Sequence, residues 1–289
     1  MAWPWRSSWP SSVSYLLWVP FAAVAVWLVI WRVKFSIMEN VAGLVGLCLI
    51  GFAVALFLLG PDWAELGRQA VQGVATSTEH ISTYWFYAVA LFGAAMTPYE
   101  VFFFSSGAVE EGWTVKDLAL SRANVLVGFP LGGLLSLAIA GCAAVVLLPQ
   151  LIAVTALSQV MLPVAMAGGK LLLALIILGI VAATAGAALE TTLSAGYTIA
   201  QFLGWSWGKF RPPALAARFH LLMIICLIVG VGTLMTGIDP IKVTEISVVF
   251  SAVALPLTYL PILIVANDPE FMGEHVNGQA LNGGALIYW

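Results

Sequence analysis

The chain has 289 residues, 62% of them hydrophobic and 9% charged, with a formal net charge of -3 and a mean hydropathy of +1.02. Soluble domains run at about 45–50% apolar and about 25% charged residues, so a water-soluble core is excluded and an all-α integral membrane protein is implied. No basic stripe or acidic tail is present, and nothing points to nucleic acid as a partner.

Residues 1–12 carry Arg6 among several Ser, Pro and Trp residues. The apolar run behind them lacks a small-residue cleavage site, so it reads as a membrane span and not a signal peptide. A span takes about 20 mostly apolar residues. Stretches of that kind predict seven helices, at 13–30, 41–59, 83–105, 125–148, 171–203, 220–236 and 243–265, within a single transmembrane domain over 1–289. The segment 151–166 is short for a span and contains Pro163, which predicts an ordered, partly embedded connection. Residues 285–289 read as the first turn of a further helix. With the N-terminus outside, the inner loops hold Arg32, Lys34, Lys116, Arg122, Lys209, Arg211 and Arg218, against Arg6, Arg68, Lys170 and Lys242 outside. The positive-inside rule therefore favours an external N-terminus and a cytoplasmic C-terminus. The three cysteines, Cys48, Cys142 and Cys226, each sit alone in an apolar run and read as small lipid- or helix-facing residues.

Most of the predicted spans are unbroken leucine, valine and alanine. The third is interrupted by Gly93-Ala94-Ala95-Met96-Thr97-Pro98-Tyr99-Glu100. Proline removes a backbone donor and clashes with the carbonyl one turn earlier, so carbonyls from about Ala94 onward lose their helical partners. In lipid such groups need protein, water or an ion instead, and a broken helix near the midplane is how secondary transporters build cation sites. A simple proline kink is the other reading. Glu100, three residues after Thr97 on the same helical face, is a carboxylate within a span and so calls for a cavity or a partner; it also suits the capping of a half-helix N-terminus. Glu190, followed by Thr191 and Thr192, is a second intramembrane acid, fit for a proton relay or for pairing with a polar neighbour across helices. His220 beside Arg218 reads as an interfacial anchor, and Glu110 with Glu111 as a solvated helix end. Neither His-Glu-x-x-His nor Gly-x-Ser-x-Gly occurs, which disfavours an intramembrane enzyme.

The order of Glu39, a span, an acidic loop with Pro61-Asp62 and the broken span resembles spans four to six of the natural resistance-associated macrophage protein (NRAMP) family. Ala195-Gly196-Tyr197-Thr198-Ile199-Ala200-Gln201-Phe202-Leu203 looks like the end of the family's eighth span. Leu255-Pro256-Leu257 through Asn267-Asp268-Pro269-Glu270-Phe271-Met272-Gly273 looks like the tenth and its inner loop. The resemblance implies a partial LeuT-type helical bundle, truncated at both ends relative to the family and lacking its first-span Asp-Pro-Gly-Asn motif. The expected function is secondary transport of a divalent metal ion through the lipid bilayer, proton-linked in a full-length parent, with the ion as substrate and no cofactor.

The family's sixth span reads Ala-x-x-Met-Pro-His, with the alanine carbonyl and the methionine sulfur as metal ligands. Ala94, Thr97, Pro98 and Tyr99 occupy the matching positions here. Loss of the sulfur in favour of oxygen suits magnesium or manganese, and Thr97 with Glu100 resembles the NRAMP-related branch that transports magnesium. The expected metal site is Ala94, Thr97 and Glu100, with Tyr99 and Glu190 as a proton or polar relay. A LeuT-type transporter of another solute, and an inactive truncated chain, are the alternatives.

Overall fold

The computed structural model describes residues 13–33, 35–72, 81–95, 97–152, 154 and 156–288. Residues 1–12, Lys34, Met96 and Trp289, which figure in the sequence reading, lie outside these. The described residues are mostly helical, with no strand among them. In chain order they form α1 (Val13–Arg32), α2 (Phe35–Gly46), a 3₁₀ turn (Leu47–Ile50) into α3 (Gly51–Leu59), α4 (Trp63–Gln72), α5 (Ile81–Ala95) and α6 (Pro98–Glu110). Then come α7 (Leu118–Cys142) with a π turn at its end (Ala143–Leu147), α8 (Leu157–Val160), α9 (Leu162–Phe202), α10 (Ala217–Met235), α11 (Pro240–Ala266), α12 (Pro269–Met272) and α13 (Gln279–Tyr288).

Six stretches are long and apolar enough to cross a membrane: Asn40–Leu59, Ile81–Glu110, Val115–Leu147, Leu162–Phe202, Ala217–Met235 and Pro240–Ala266. Each contains or overlaps one expected span, and the expected span at 13–30 falls on α1, whose apolar part runs over Leu17–Arg32. Several boundaries differ from expectation: α7 already begins at Leu118, ahead of the expected 125, and the broken span runs to Glu110, past the expected 105. Helix α9 begins at Leu162, well inside the segment expected to be a connection, because Pro163 stands in the first turn, where a missing N–H costs nothing. The helix bends instead at Gly169, whose φ of 62° and ψ of -155° lie outside the helical region. Helix α13 starts at Gln279, not at 285. Its first turns hold Asn282, Gly283 and Gly284, which look like loop in sequence.

The described residues divide into two compact units. In the first (1–76 and 102–241), α9 is the central post, packed by α2, α3 and α10. Lipid tails give helices no hydrophobic reason to associate, so close van der Waals packing over small residues has to do it. A Cβ at Gly179 would stand 2.9 Å from the Leu49 backbone nitrogen, and one at Gly196 would stand 2.9 Å from the Phe219 ring. One buried cluster joins Ile30, Met38, Leu193, Tyr197, Phe219 and Met223. Another joins Phe52, Leu56, Ala138, Cys142, Val164 and Ile176. Cys142 is buried there with its Sγ 3.5 Å from the Phe52 carbonyl, whereas Cys48 and Cys226 are half-buried; all three are free thiols.

The second unit (77–101 and 242–289) holds α5, the first turn of α6, and α11 to α13. Helix α5 meets α11 at Gly93. A Cβ there would overlap the Val248 carbonyl oxygen and come within 3.1 Å of both the nitrogen and the Cβ of Ala252. At its far end α11 is tied to α13 by a reciprocal amide pair: Asn267 Nδ2 donates to Asn282 Oδ1 (3.0 Å), and Asn282 Nδ2 donates to Asn267 Oδ1 (2.5 Å). Asp268 caps α12 by accepting from the Glu270 amide at 2.8 Å.

Because the group in the way at Gly93 is backbone, it has little room to yield. Overpacking of this kind costs about 1–3 kcal/mol. Gly93→Ala is expected to lower the melting temperature of the detergent-purified protein, whereas Gly43→Ala, with nothing within 4 Å, should leave it level or raise it through the better helix propensity of alanine.

Candidate functional site

Proline occurs inside several of these helices without ending them. Pro20 lies within α1, Pro130 within α7, and Pro256 and Pro261 within α11. At Pro98 the outcome differs. Helix α5 stops at Ala95, Thr97 is outside helical structure, and α6 starts with Pro98 itself. The interruption is a break between two helices, not a kink in one. The Ala94 carbonyl is left without its partner one turn on, since residue 98 has no N–H to give.

Thr97 stands directly before α6, where a threonine hydroxyl ordinarily accepts from an amide of the first turn. Here the amide of Glu100 donates to the Thr97 carbonyl instead, at 3.2 Å. The Thr97 side chain is only 6% exposed, and its Oγ1 is the buried side-chain polar atom left without a hydrogen-bond partner among the described residues. The Glu100 carboxyl is beside it, near enough for the Thr97 hydroxyl and amide to bear on its charge. An unsatisfied buried hydroxyl costs about 1–3 kcal/mol, an expense that calls for a compensating role. Glu100 is half-buried in the first turn of α6, where the positive end of the helix dipole favours a negative charge.

Of the residues picked out from the sequence, Ala94, Thr97, Tyr99 and Glu100 lie together in the second unit. Ala94 is exposed, Thr97 buried, and Tyr99 and Glu100 half-buried. Glu190 is half-buried on α9, in the first unit. The hydroxyls that follow it do not reach across to other helices. Thr191 donates to the Ala187 carbonyl (2.6 Å) and Thr192 to that of Ala188 (2.7 Å), one turn back in their own helix. No group of three or more His, Cys, Asp or Glu side chains gathers among the described residues, so any cation held at the break would rely on backbone and hydroxyl oxygens with a single carboxylate. That donor set suits a hard divalent ion that keeps part of its water.

The structure also displays a cluster that the sequence reading missed. Glu110, expected to be a solvated helix end, is clamped in the first unit. Its Oε2 accepts from the Tyr197 hydroxyl at 2.5 Å and its Oε1 from the Phe210 amide at 2.7 Å. Gly208, at φ 129°, lets the chain pass within reach, because a Cβ there would stand 2.9 Å from Glu110 Oε1. Beside it Gln201 Nε2 donates to Ser106 Oγ at 2.9 Å. Burial holds the neighbouring Lys209 amine below the usual lysine value, against the opposing pull of Glu110 and Glu111. His220 is drawn into the same region, its Nε2 lying 3.0 Å from the Arg211 carbonyl, while Arg218 stacks over Trp205 at 5.0 Å. The clamp fixes the C-terminal end of α6 to α9 and to the connection between α9 and α10. Its sequence signal was Tyr197, the single tyrosine of α9, whose hydroxyl needs a partner when buried.

Apolar spans, one of them broken at a proline beside a buried hydroxyl and a carboxylate, define a multi-pass helical membrane protein. The chain belongs to the Nramp family, described as natural resistance-associated macrophage protein-like, whose family model matches residues 8–289. Members of this family transport divalent metal ions; they are not enzymes, and the metal is their substrate, with no cofactor required. No individual curated protein matches the chain.

The Glu110 clamp can be weighed directly. A hydrogen bond to a charged group is worth about 1.5–3 kcal/mol, so Tyr197→Phe should lower the melting temperature in detergent, and Glu110→Ala should lower it further, because it removes both bonds. Glu110→Gln, which keeps an acceptor for the Phe210 amide, should fall between wild type and Glu110→Ala.

Proposed function

We propose that the helix break is the metal site of a divalent-cation transporter that favours magnesium or manganese, with the Ala94 carbonyl, the Thr97 hydroxyl and the Glu100 carboxylate as ligands. The observation that carries the reading is the Thr97 hydroxyl, buried, unpartnered and placed where the backbone ladder is interrupted. Were Thr97 simply bonding the carbonyl of the preceding turn, as hydroxyls in membrane helices often do, its Oγ1 would have a partner, as those of Thr191 and Thr192 do. A cation supplies what both orphaned groups lack, since the Ala94 carbonyl and the Thr97 hydroxyl each offer lone pairs. Glu100 adds the negative charge that offsets the dehydration of a divalent ion.

Selectivity follows from the donor atoms. Oxygen ligands suit magnesium and manganese, whereas a thioether favours softer ions. Magnesium dehydrates reluctantly and is commonly held by few protein ligands with several waters retained, which fits a site of three oxygen donors. Proton linkage is part of the same proposal. Tyr99, next to the break, and Glu190, an acid within a span, are the relay candidates, because an ionisable group at membrane depth is costly and is kept for a function.

Isothermal titration of the purified protein with magnesium, manganese and cadmium tests the assignment. Thr97→Met should raise the affinity for cadmium or manganese relative to magnesium by on the order of tenfold, equivalent to about 1.4 kcal/mol. Glu100→Gln should weaken magnesium binding while the helical circular dichroism stays unchanged. A cadmium-to-magnesium ratio unaltered in Thr97→Met would remove Thr97 from the site.

A further inference from the structure

Helix α4 is unlike every other long helix in the chain. Its residues separate by helical period: Trp63, Leu66, Ala70 and Val71 fall on one side, and Glu65, Arg68 and Gln69 on the other. Trp63 is 53% exposed and Val71 87% exposed, and none of the substantial helix–helix packings among the described residues involves α4. Its ten described residues would not hold a helix together in water by themselves, where about 12–15 residues are already marginal. Something must cover its apolar side.

The chain on either side restricts what that can be. Helix α3 completes the span Asn40–Leu59 and ends on Gly60, which turns out of the helix at φ 58°. Pro61 follows. The carboxylate of Asp62 then starts α4 by accepting from the amides of Ala64 (3.0 Å) and Glu65 (3.1 Å). From Leu59 to Trp63 the chain reaches about 14 Å at most, at up to about 3.6 Å per residue. The polar zone of a bilayer beyond its hydrocarbon is about 5–7 Å deep on each side, so α4 begins in or against that zone. The next span, Ile81–Glu110, brings the chain back into the membrane after it. Tryptophan is also the residue that collects at this depth, since its ring is apolar with one polar N–H.

We infer that α4 is an interfacial helix lying in the plane of the membrane, its Trp63, Leu66, Ala70 and Val71 side covered by lipid at the headgroup boundary. The partner is the bilayer itself. The polar side carries a self-neutralising pair, Arg68 to Glu65 at 2.6 Å, with Gln69 also donating to Glu65 at 2.6 Å. Attachment therefore depends on apolar burial and not on anionic headgroups. A helix seated in this way fixes where the chain leaves one span and enters the next, whatever ion the protein carries.

Site-directed spin labelling tests the inference on the whole chain. In a version with Cys48, Cys142 and Cys226 replaced by alanine, Ala70→Cys and Gln69→Cys are labelled separately and reconstituted in phosphatidylcholine vesicles. Collision with molecular oxygen, which concentrates in lipid, is compared with collision with a water-soluble nickel chelate. The oxygen-to-chelate ratio should be severalfold higher at 70 than at 69, and adding phosphatidylglycerol to the vesicles should leave both unchanged. Two results overturn the inference. Chelate access at 70 equal to that at 69 means that the helix stands in water, and shielding of 70 from both reagents means that its apolar side is buried on protein.

Discussion

Inside a bilayer each backbone amide and carbonyl must find a partner within the protein, and every feature of this chain follows from how that demand is met or suspended. Five of the six stretches long enough to span stay helical apart from the bend at Gly169, and in α7 and α11 the helix runs on through internal prolines. The stretch Ile81–Glu110 suspends it at Thr97-Pro98. The proline withholds the N–H that Ala94 would otherwise use, and the threonine hydroxyl that could compensate is buried without a partner. Two oxygens with free lone pairs beside a carboxylate in the membrane are costly when empty and favourable when a cation is present. On the proposed reading, the site for a divalent substrate and the fault in the backbone ladder are one feature.

A fault of this kind needs firm surroundings, and the two halves of the broken span are secured differently. Helix α5 is pressed against α11 at Gly93, where backbone meets backbone with no room for a side chain. The far end of α6 is held by Glu110, which joins the Tyr197 hydroxyl of α9 to the Phe210 amide of the following connection. The line between the two compact units crosses α6 just after the break, so the residues proposed to hold the ion belong with one unit and the clamp with the other. Glu110 acts on α6 through position alone, since it lies at the opposite end of that helix from Thr97.

Much of this was legible in the sequence, for physical reasons that differ from element to element. The spans announce themselves because twenty apolar residues in a row have few other uses, and the break at Thr97-Pro98 stands out against leucine and alanine. What escaped was long-range or locally disguised. Glu110 and Tyr197 are 87 positions apart, and nothing near either one names the other. Pro163 looks like a helix breaker until the helix is seen to start around it, and α13 is hidden by Gly283 and Gly284 until Asn282 pairs with Asn267. The amphipathic period of α4 was present in Trp63–Gln72, but a stretch with acidic and amide side chains between two spans reads first as loop.

The claim that the break exists to hold a hard cation is tested most directly by locating the ion. Crystals of the protein grown with manganese, measured for anomalous scattering at the manganese edge, should show a peak at bonding distance from both the Thr97 hydroxyl and the Ala94 carbonyl, with Glu100 at or next to the metal. A manganese peak elsewhere, with the Thr97 hydroxyl hydrogen-bonded to a carbonyl of α5, would contradict the account and leave the break as a structural proline site only.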